Sequence, residues 1–83
     1  MARGIHDDRY RGLFEALAAA RRSAGLAQSE LATRLGRRQQ FVSKYESGER
    51  RLDLVEFVDI ARVLGSDVAL LIDAISSPND ASS

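Results

Sequence analysis

Apolar residues recur along this chain at the three- and four-residue spacing that one face of an α-helix produces, and glycines interrupt the pattern at intervals. In the first segment the predicted buried face consists of Tyr10, Leu13, Phe14, Leu17 and Ala20. Asp7 and Asp8 are suited to cap the start of this helix, and Gly25 is suited to end it in a left-handed conformation. We therefore expect a first helix that packs one face against a core.

Four further helices follow from the same spacing. They are predicted from about Gln28 to Leu35, from about Arg38 to Ser47, from Leu54 to Leu64 behind a cap at Asp53, and from Val68 to Ile75 behind a cap at Asp67. Gly36, Gly48 and Gly65 end three of these helices. No alternating run rich in Val, Ile or Thr predicts a strand. The expected fold is all-α, a compact five-helix bundle.

A chain of 83 residues supports one small domain, which we expect at residues 8–76 between a flexible arm at 1–7 and a disordered polar tail at 77–83. The absence of Cys excludes thiolate metal sites, and His6 stands alone, so we expect no metal, no cofactor and no enzyme activity. The longest apolar run, at 68–72, is too short to cross a membrane, and the N-terminus lacks a signal peptide's apolar core. A cytoplasmic protein is the default expectation.

The net charge of zero hides an asymmetry along the chain. Residues 1–51 hold eleven of the Lys and Arg residues against six acids, a net charge of +5, whereas residues 52–83 hold one against six, a net charge of −5. Charges that merely solvate a surface are an equally good interpretation of composition alone. A basic first half otherwise suggests a polyanion as partner.

The third predicted helix has a polar outward face within this basic half. Its inward positions are Val42 and Tyr45, with Phe41 at the edge. The positions that point outward are Gln39, Gln40, Ser43, Lys44 and Ser47. Amides pair with adenine through two atoms, and Lys favours guanine, so this face suits base edges in a major groove. The arginines that flank the helix are positioned to reach phosphates on either side: Arg37, Arg38, Arg50 and Arg51.

The stretch GLAQSELATRLGRRQQFVSKYESGER, continued by LDLVEFVDIARVLG, resembles the helix-turn-helix of the lambda-repressor/Cro-like proteins, the Xre family. The resemblance extends from about Leu13 to Ile75 and rests on the combination of Gln, Leu-Ala, Leu-Gly and a Glu followed closely by Gly. It implies a lambda-repressor-like DNA-binding bundle in which Gln39, Gln40 and Lys44 contact bases, with Ser43 on the same face.

The resemblance also implies roles outside the third helix. Gln28 matches a position that contacts a DNA phosphate, and Arg21 and Glu46 match a partly buried salt bridge between the first and third helices. Two departures concern the turn and the helix start. Arg37 and Arg38 replace an apolar residue and a Ser or Thr cap, and Phe41 is bulky where a small residue is frequent. Phe41 is expected to pack at the core edge, with contact to a thymine methyl as the alternative.

Three glutamates outside these matches are expected on solvated helix faces: Glu15, Glu30 and Glu56. On the fifth helix, the stripe expected to cover the core consists of Val68, Leu71, Ile72 and Ile75. Leu70 and Ala74 fall on a neighbouring face, which predicts a symmetric homodimer built on this helix with help from the fourth, although a single exposed Leu is ordinary. A strand at 68–72 that pairs across the dimer is the alternative, but the cap at Asp67 and the apolar spacing favour a helix.

The predicted function is sequence-specific binding of double-stranded DNA as a transcriptional regulator, with repression as the expected output. An antitoxin-type protein that binds a toxin and regulates its own operon is the alternative. A third class, a protein-interaction adaptor without DNA binding, is less favoured.

Overall fold

A computed structural model describes residues 8–76 of the chain, and all of its secondary structure in that range is helical. The five helices are α1 (Asp8–Ser23), α2 (Gln28–Leu35), α3 (Gln39–Ser47), α4 (Leu54–Leu64) and α5 (Val68–Ser76). The predicted all-α, five-helix fold is confirmed. The arm at residues 1–7 and the tail at 77–83, with the proposed cap at Asp7, lie outside the described residues, so the domain boundaries stay predictions.

The helix ends follow local chemistry. Four of the glycines adopt positive φ after a helix: Gly25, Gly36, Gly48 and Gly65. At Gly36, where φ is 70°, the left-handed turn lets the next amide, that of Arg37, donate to the Ala32 carbonyl at 2.9 Å. This bond satisfies one of the carbonyls left open at the end of α2. The turn between α2 and α3 is therefore tight and specific.

Three helix boundaries differ from the sequence prediction. Helix α5 ends at Ser76 rather than Ile75. Helix α3 begins at Gln39 rather than Arg38, because Arg38 has the extended conformation of an N-cap residue, with φ −81° and ψ 155°. Its side chain makes no cap hydrogen bond. Asp8 lies within α1 rather than before it. By contrast, Asp53 caps α4 as predicted, since its carboxylate accepts from the Glu56 amide at 2.8 Å.

The core lies between α1, α2, α3 and α4. Its largest fully buried side chains are Tyr45, Leu17, Leu31, Ile60 and Val42. The Tyr45 ring lies 6.1 Å from that of Phe14 and 5.6 Å from that of Phe41, measured between centroids, so an aromatic group joins α1 to α3. The fifth helix packs mainly on α1. None of the helices within residues 8–76 is long and apolar enough to span a membrane.

Candidate nucleic-acid interface

The outward face of α3 is polar and open to solvent. Gln39, Gln40 and Lys44 are exposed, and Ser43 is half-buried with its hydroxyl donating to the Gln40 carbonyl at 3.3 Å. The opposite side of the helix is anchored by Val42 and Tyr45, both fully buried. Because Gln39 and Gln40 occupy the first two helical positions, their amides project at the exposed N-terminal end of α3.

A buried ion pair ties α3 to α1. Arg21 donates from Nε to Glu46 Oε2 at 2.8 Å and from Nη2 to Oε1 at 3.1 Å, and both side chains are about nine-tenths buried. Arg21 Nη1 also donates to the Leu26 carbonyl at 2.8 Å, in the loop before α2. The bond with Glu46 raises the pKa of Arg21. The two residues that the resemblance paired are therefore in contact, and the pair fixes α3 relative to the first helix.

Gln28, predicted to contact a phosphate, participates in the same network. Its amide nitrogen donates to Glu46 Oε1 at 2.9 Å, and its side chain is half-buried. This bond gives Gln28 a structural partner at the start of α2 and orients the rest of the amide. Its phosphate contact stays a prediction.

Glu56, expected on a solvated face, is instead buried, with 8% of its surface exposed. Its Oε2 accepts from Arg37 Nη2 at 3.0 Å and from Arg50 Nη2 at 2.9 Å. Its Oε1 accepts from Arg50 Nη1 and from the Asp53 amide, each at 2.9 Å. The expectation of a solvated carboxylate was wrong because the fold brings two arginines onto it.

These hydrogen bonds, that from Arg50 above all, lower the pKa of Glu56 from its ordinary value of 4.5 to about 2. The same contact raises the pKa of Arg50. The Asp53–Glu56 spacing is that of a capping box, a signal in the sequence that could have identified Glu56 as a capping residue. The arginine contacts carry no such local signal, since Arg37 is 19 residues away.

Phe41 packs at the edge of the core and is 9% exposed. The guanidinium carbons of Arg37 and Arg50 lie 4.4 Å and 4.8 Å from the centroid of its ring, within cation–π range. Of the two roles considered for Phe41, the structure shows packing. Glu56, Arg37, Arg50 and Phe41 together form a unit that we call the Glu56 cluster.

The Glu56 cluster borders an open groove beside α3. The groove is lined by Arg37, Arg38, Gln40, Phe41, Lys44, Glu49 and Arg50. Two residues predicted to read bases, Gln40 and Lys44, thus share one surface with three of the arginines predicted to contact phosphates. The fourth, Arg51, lies further away, with its guanidinium 5.0 Å from the ring of Tyr10 on α1.

Comparison with known proteins agrees with this geometry. Residues 17–71 match the model of a family described as helix-turn-helix. The chain is also 50% identical to a solved XRE-family like protein from Pseudomonas syringae pv. tomato str. DC3000, with a TM-score of 0.79, over 87% of this chain and 88% of that one. The chain belongs to the Xre helix-turn-helix family. No curated protein sequence matches it.

Membership in the Xre family makes this chain a helix-turn-helix protein of the DNA-binding, transcription-regulating kind. In this architecture α2 and α3 form the two-helix unit, and the second helix of that unit is the recognition helix. The exposed amides of Gln39 and Gln40 therefore lie on the helix that such proteins insert into the major groove.

The fifth helix of this Xre protein exposes more apolar surface than the sequence pattern predicted. Leu70 is 67% exposed, as expected for its outward face. Ile72, expected to cover the core, is 44% exposed, because α5 packs chiefly on α1 and only part of its stripe reaches the core. The side chain of Ala74 lies outside the described residues, so its predicted interface role has no structural counterpart here.

Proposed function

We propose that this protein is a sequence-specific repressor that binds double-stranded DNA as a homodimer. The observation that carries the proposal is the outward face of α3, where exposed amides and Lys44 share a groove with arginines. Gln39, Gln40, Ser43 and Lys44 are the proposed base contacts. Repression is the proposed output because a protein bound over a promoter excludes other proteins from it.

The proposed phosphate contacts surround the base-reading face: Gln28, Arg37, Arg38, Arg50 and Arg51. Phosphate contacts supply affinity for every sequence, whereas base contacts discriminate among sequences. Arg38 is exposed and stands at the N-cap of α3, next to the base-reading Gln39. Gln40 is exposed at the following position of the same helix. The side chains of Arg38 and Gln40 therefore permit a direct test of the division of roles.

Selection of bound sequences from random duplexes should return a two-fold symmetric site with half-sites about 10–10.5 bp apart. On that site, Gln40→Ala is expected to lose about 1–3 kcal/mol of discrimination at particular base pairs. Arg38→Ser is expected to weaken binding to all duplexes and to flatten the salt dependence. Because Ser is a good N-cap, Arg38→Ser should also gain about 1 kcal/mol of folding stability, which rules out unfolding as the cause. Selection that enriches no sequence would contradict the proposal.

The proposed dimer interface is centred on Leu70, and Ala74 is the second residue proposed for it. Leu70 and Ile72 are exposed on α5, and Leu54 and Val55 are exposed on α4, so apolar side chains reach solvent on both of the last helices. Burying a Leu side chain is worth about 1.5–3 kcal/mol, which favours a second copy as the cover for Leu70. A two-fold dimer also doubles the number of base pairs read.

Sedimentation tests the dimer directly. The unmutated protein should be a dimer at micromolar concentration, and Leu70→Glu should give a folded monomer with much weaker binding to the selected site. Ala19→Glu, which adds the same charge at an exposed position of α1, is the matched control and should remain dimeric. A monomer for the unmutated protein, both free and on DNA, would refute the interface.

A further inference from the structure

The Glu56 cluster contains a carboxylate where charge alone would disfavour one. Glu56 holds two arginines that border the groove beside the base-reading residues. A negative charge near a phosphate backbone reduces attraction, so a surface built only for maximal charge would omit it. The geometry of the cluster indicates that the carboxylate has a role other than setting the charge of the surface.

Glu56 leaves much of each arginine available. About 43% of the Arg37 side chain and 39% of the Arg50 side chain are exposed. Arg37 uses only Nη2 for Glu56, whereas Arg50 uses Nη1 and Nη2 for Glu56 and Nη1 also for the Arg51 carbonyl at 2.8 Å. A guanidinium has five N–H donors, so Arg50 keeps its Nε donor and one on Nη2. Each arginine is therefore fixed on its inner side and retains donors on its outer side.

Phe41 and α4 make this arrangement rigid. The Phe41 ring is buried in the core and lies under both guanidinium groups. Glu56 is itself fixed, because its carboxylate accepts from the Asp53 amide and its own amide donates to Asp53. A long arginine loses rotamer entropy when it is ordered, and here the contacts with Glu56 and Phe41 order both arginines before binding.

We propose that Glu56 is a positioning residue for DNA binding, which holds Arg37 and Arg50 over Phe41 so that their outer donors meet phosphates beside the recognition helix. This inference rests on the DNA-binding function proposed above. It predicts that removing the negative charge of Glu56 weakens binding, whereas simple charge counting predicts that the same change strengthens it. The two explanations therefore predict changes in DNA affinity of opposite sign.

The test compares Glu56→Gln with Glu49→Gln in the full chain. Glu49 lines the same groove but is exposed, and its carboxylate accepts only from the Ser47 hydroxyl among the described residues, so its replacement removes an equal charge without releasing an arginine. Fluorescence anisotropy should be measured on the selected duplex and on a random duplex, over a range of salt concentrations. The temperature should be one at which circular dichroism shows all variants folded.

We expect Glu49→Gln to bind as tightly as the unmutated protein or more tightly. Glu56→Gln should bind both duplexes at least about fivefold more weakly, because charged hydrogen bonds to two phosphates lose their geometry. The slope of log affinity against log salt should fall by up to about two, at roughly 0.9 for each phosphate that the arginines no longer neutralise. A role in folding alone would lower stability without changing this slope.

Glu56→Asp provides a second variant if Glu56→Gln fails to fold. It keeps the charge and the cap of α4, but its shorter side chain cannot reach both arginines, so the same loss of affinity and slope is expected. The bonds to Glu56 slow the exchange of the Arg50 Nη protons with water. The NMR signals of these protons should therefore broaden in either variant. A folded variant that binds both duplexes with unchanged affinity and slope overturns the positioning role. Failure of the unmutated protein to bind any duplex would instead overturn the proposed function.

Discussion

Replacing Arg21 by Met should expose how much of the fold depends on its ion pair with Glu46. The change removes two bonds to the carboxylate, at 2.8 and 3.1 Å, and a third to the Leu26 carbonyl at 2.8 Å, while keeping a long apolar side chain. Hydrogen bonds between charged groups are worth about 1.5–3 kcal/mol each, so the pair accounts for about 3–6 kcal/mol before relaxation. The Gln28 amide still donates to Glu46, which reduces the loss of folding stability. We expect the free energy of unfolding to fall by about 3–5 kcal/mol, as for other stranded buried charges.

A loss of that size is most of the stability of a domain this small, which is expected near the lower end of about 5–15 kcal/mol. Urea unfolding followed by circular dichroism at pH 7 measures it, with Glu46→Leu and the double variant Arg21→Met/Glu46→Leu completing a cycle. The double variant strands no charge, so it should cost clearly less than the sum of the single changes, with a coupling of about 2 kcal/mol or more. Additive costs, or a loss below about 1 kcal/mol for Arg21→Met alone, would refute the reasoning.

Two further predictions concern buried polar groups. Among the described residues the Tyr45 hydroxyl has no hydrogen-bond partner, and burial raises its pKa, so Tyr45→Phe should stabilise the domain by about 1 kcal/mol in the same urea assay; a loss of stability would contradict this. For Glu56 the folded pKa, about 2, lies below the ordinary 4.5, so its stabilisation is complete above pH 4.5 and disappears as the pH falls towards 2. Because its arginine partners are partly solvated, that loss should be about 1–2 kcal/mol and absent in Glu56→Gln, which unfolding measured from pH 6 to 2 will check.

Local signals explain why most of the fold could be predicted from the sequence. Gly36 can adopt positive φ because it has no side chain, and Asp53 caps α4 by accepting a hydrogen bond from an amide in the next turn. Both features therefore depend only on residues that are close in the sequence. The start of α3 was misplaced by one residue because Arg38 serves as N-cap without a side-chain bond. The contact between Arg21 and Glu46 came from the family resemblance, since no local pattern joins residues 25 positions apart.

The surroundings of Glu56 and Ile72 depend on tertiary packing and were mispredicted for that reason. Helical spacing gives the direction of Ile72 on α5 but not how much of that helix α1 covers. Its charge and its position on a helix made Glu56 resemble the solvated Glu15. Its arginine partners, however, lie in the α2–α3 turn and in the loop before α4, outside the helix that carries Glu56. Neither the burial of Glu56 nor the exposure of Ile72 can be inferred from the sequence of one helix alone.

The charge asymmetry along the chain also acquires a different meaning in three dimensions. The first half of the sequence has a net charge of +5, yet the surface beside α3 carries less positive charge than that value suggests. Arg21 is neutralised inside the domain by Glu46, and Glu56, from the acidic half, neutralises part of the charge of Arg37 and Arg50. Long-range attraction to DNA should therefore be modest, and the salt slope should correspond to far fewer phosphate contacts than eleven cations. Affinity then depends on where the remaining donors are held, which is the property that the Glu56 cluster controls.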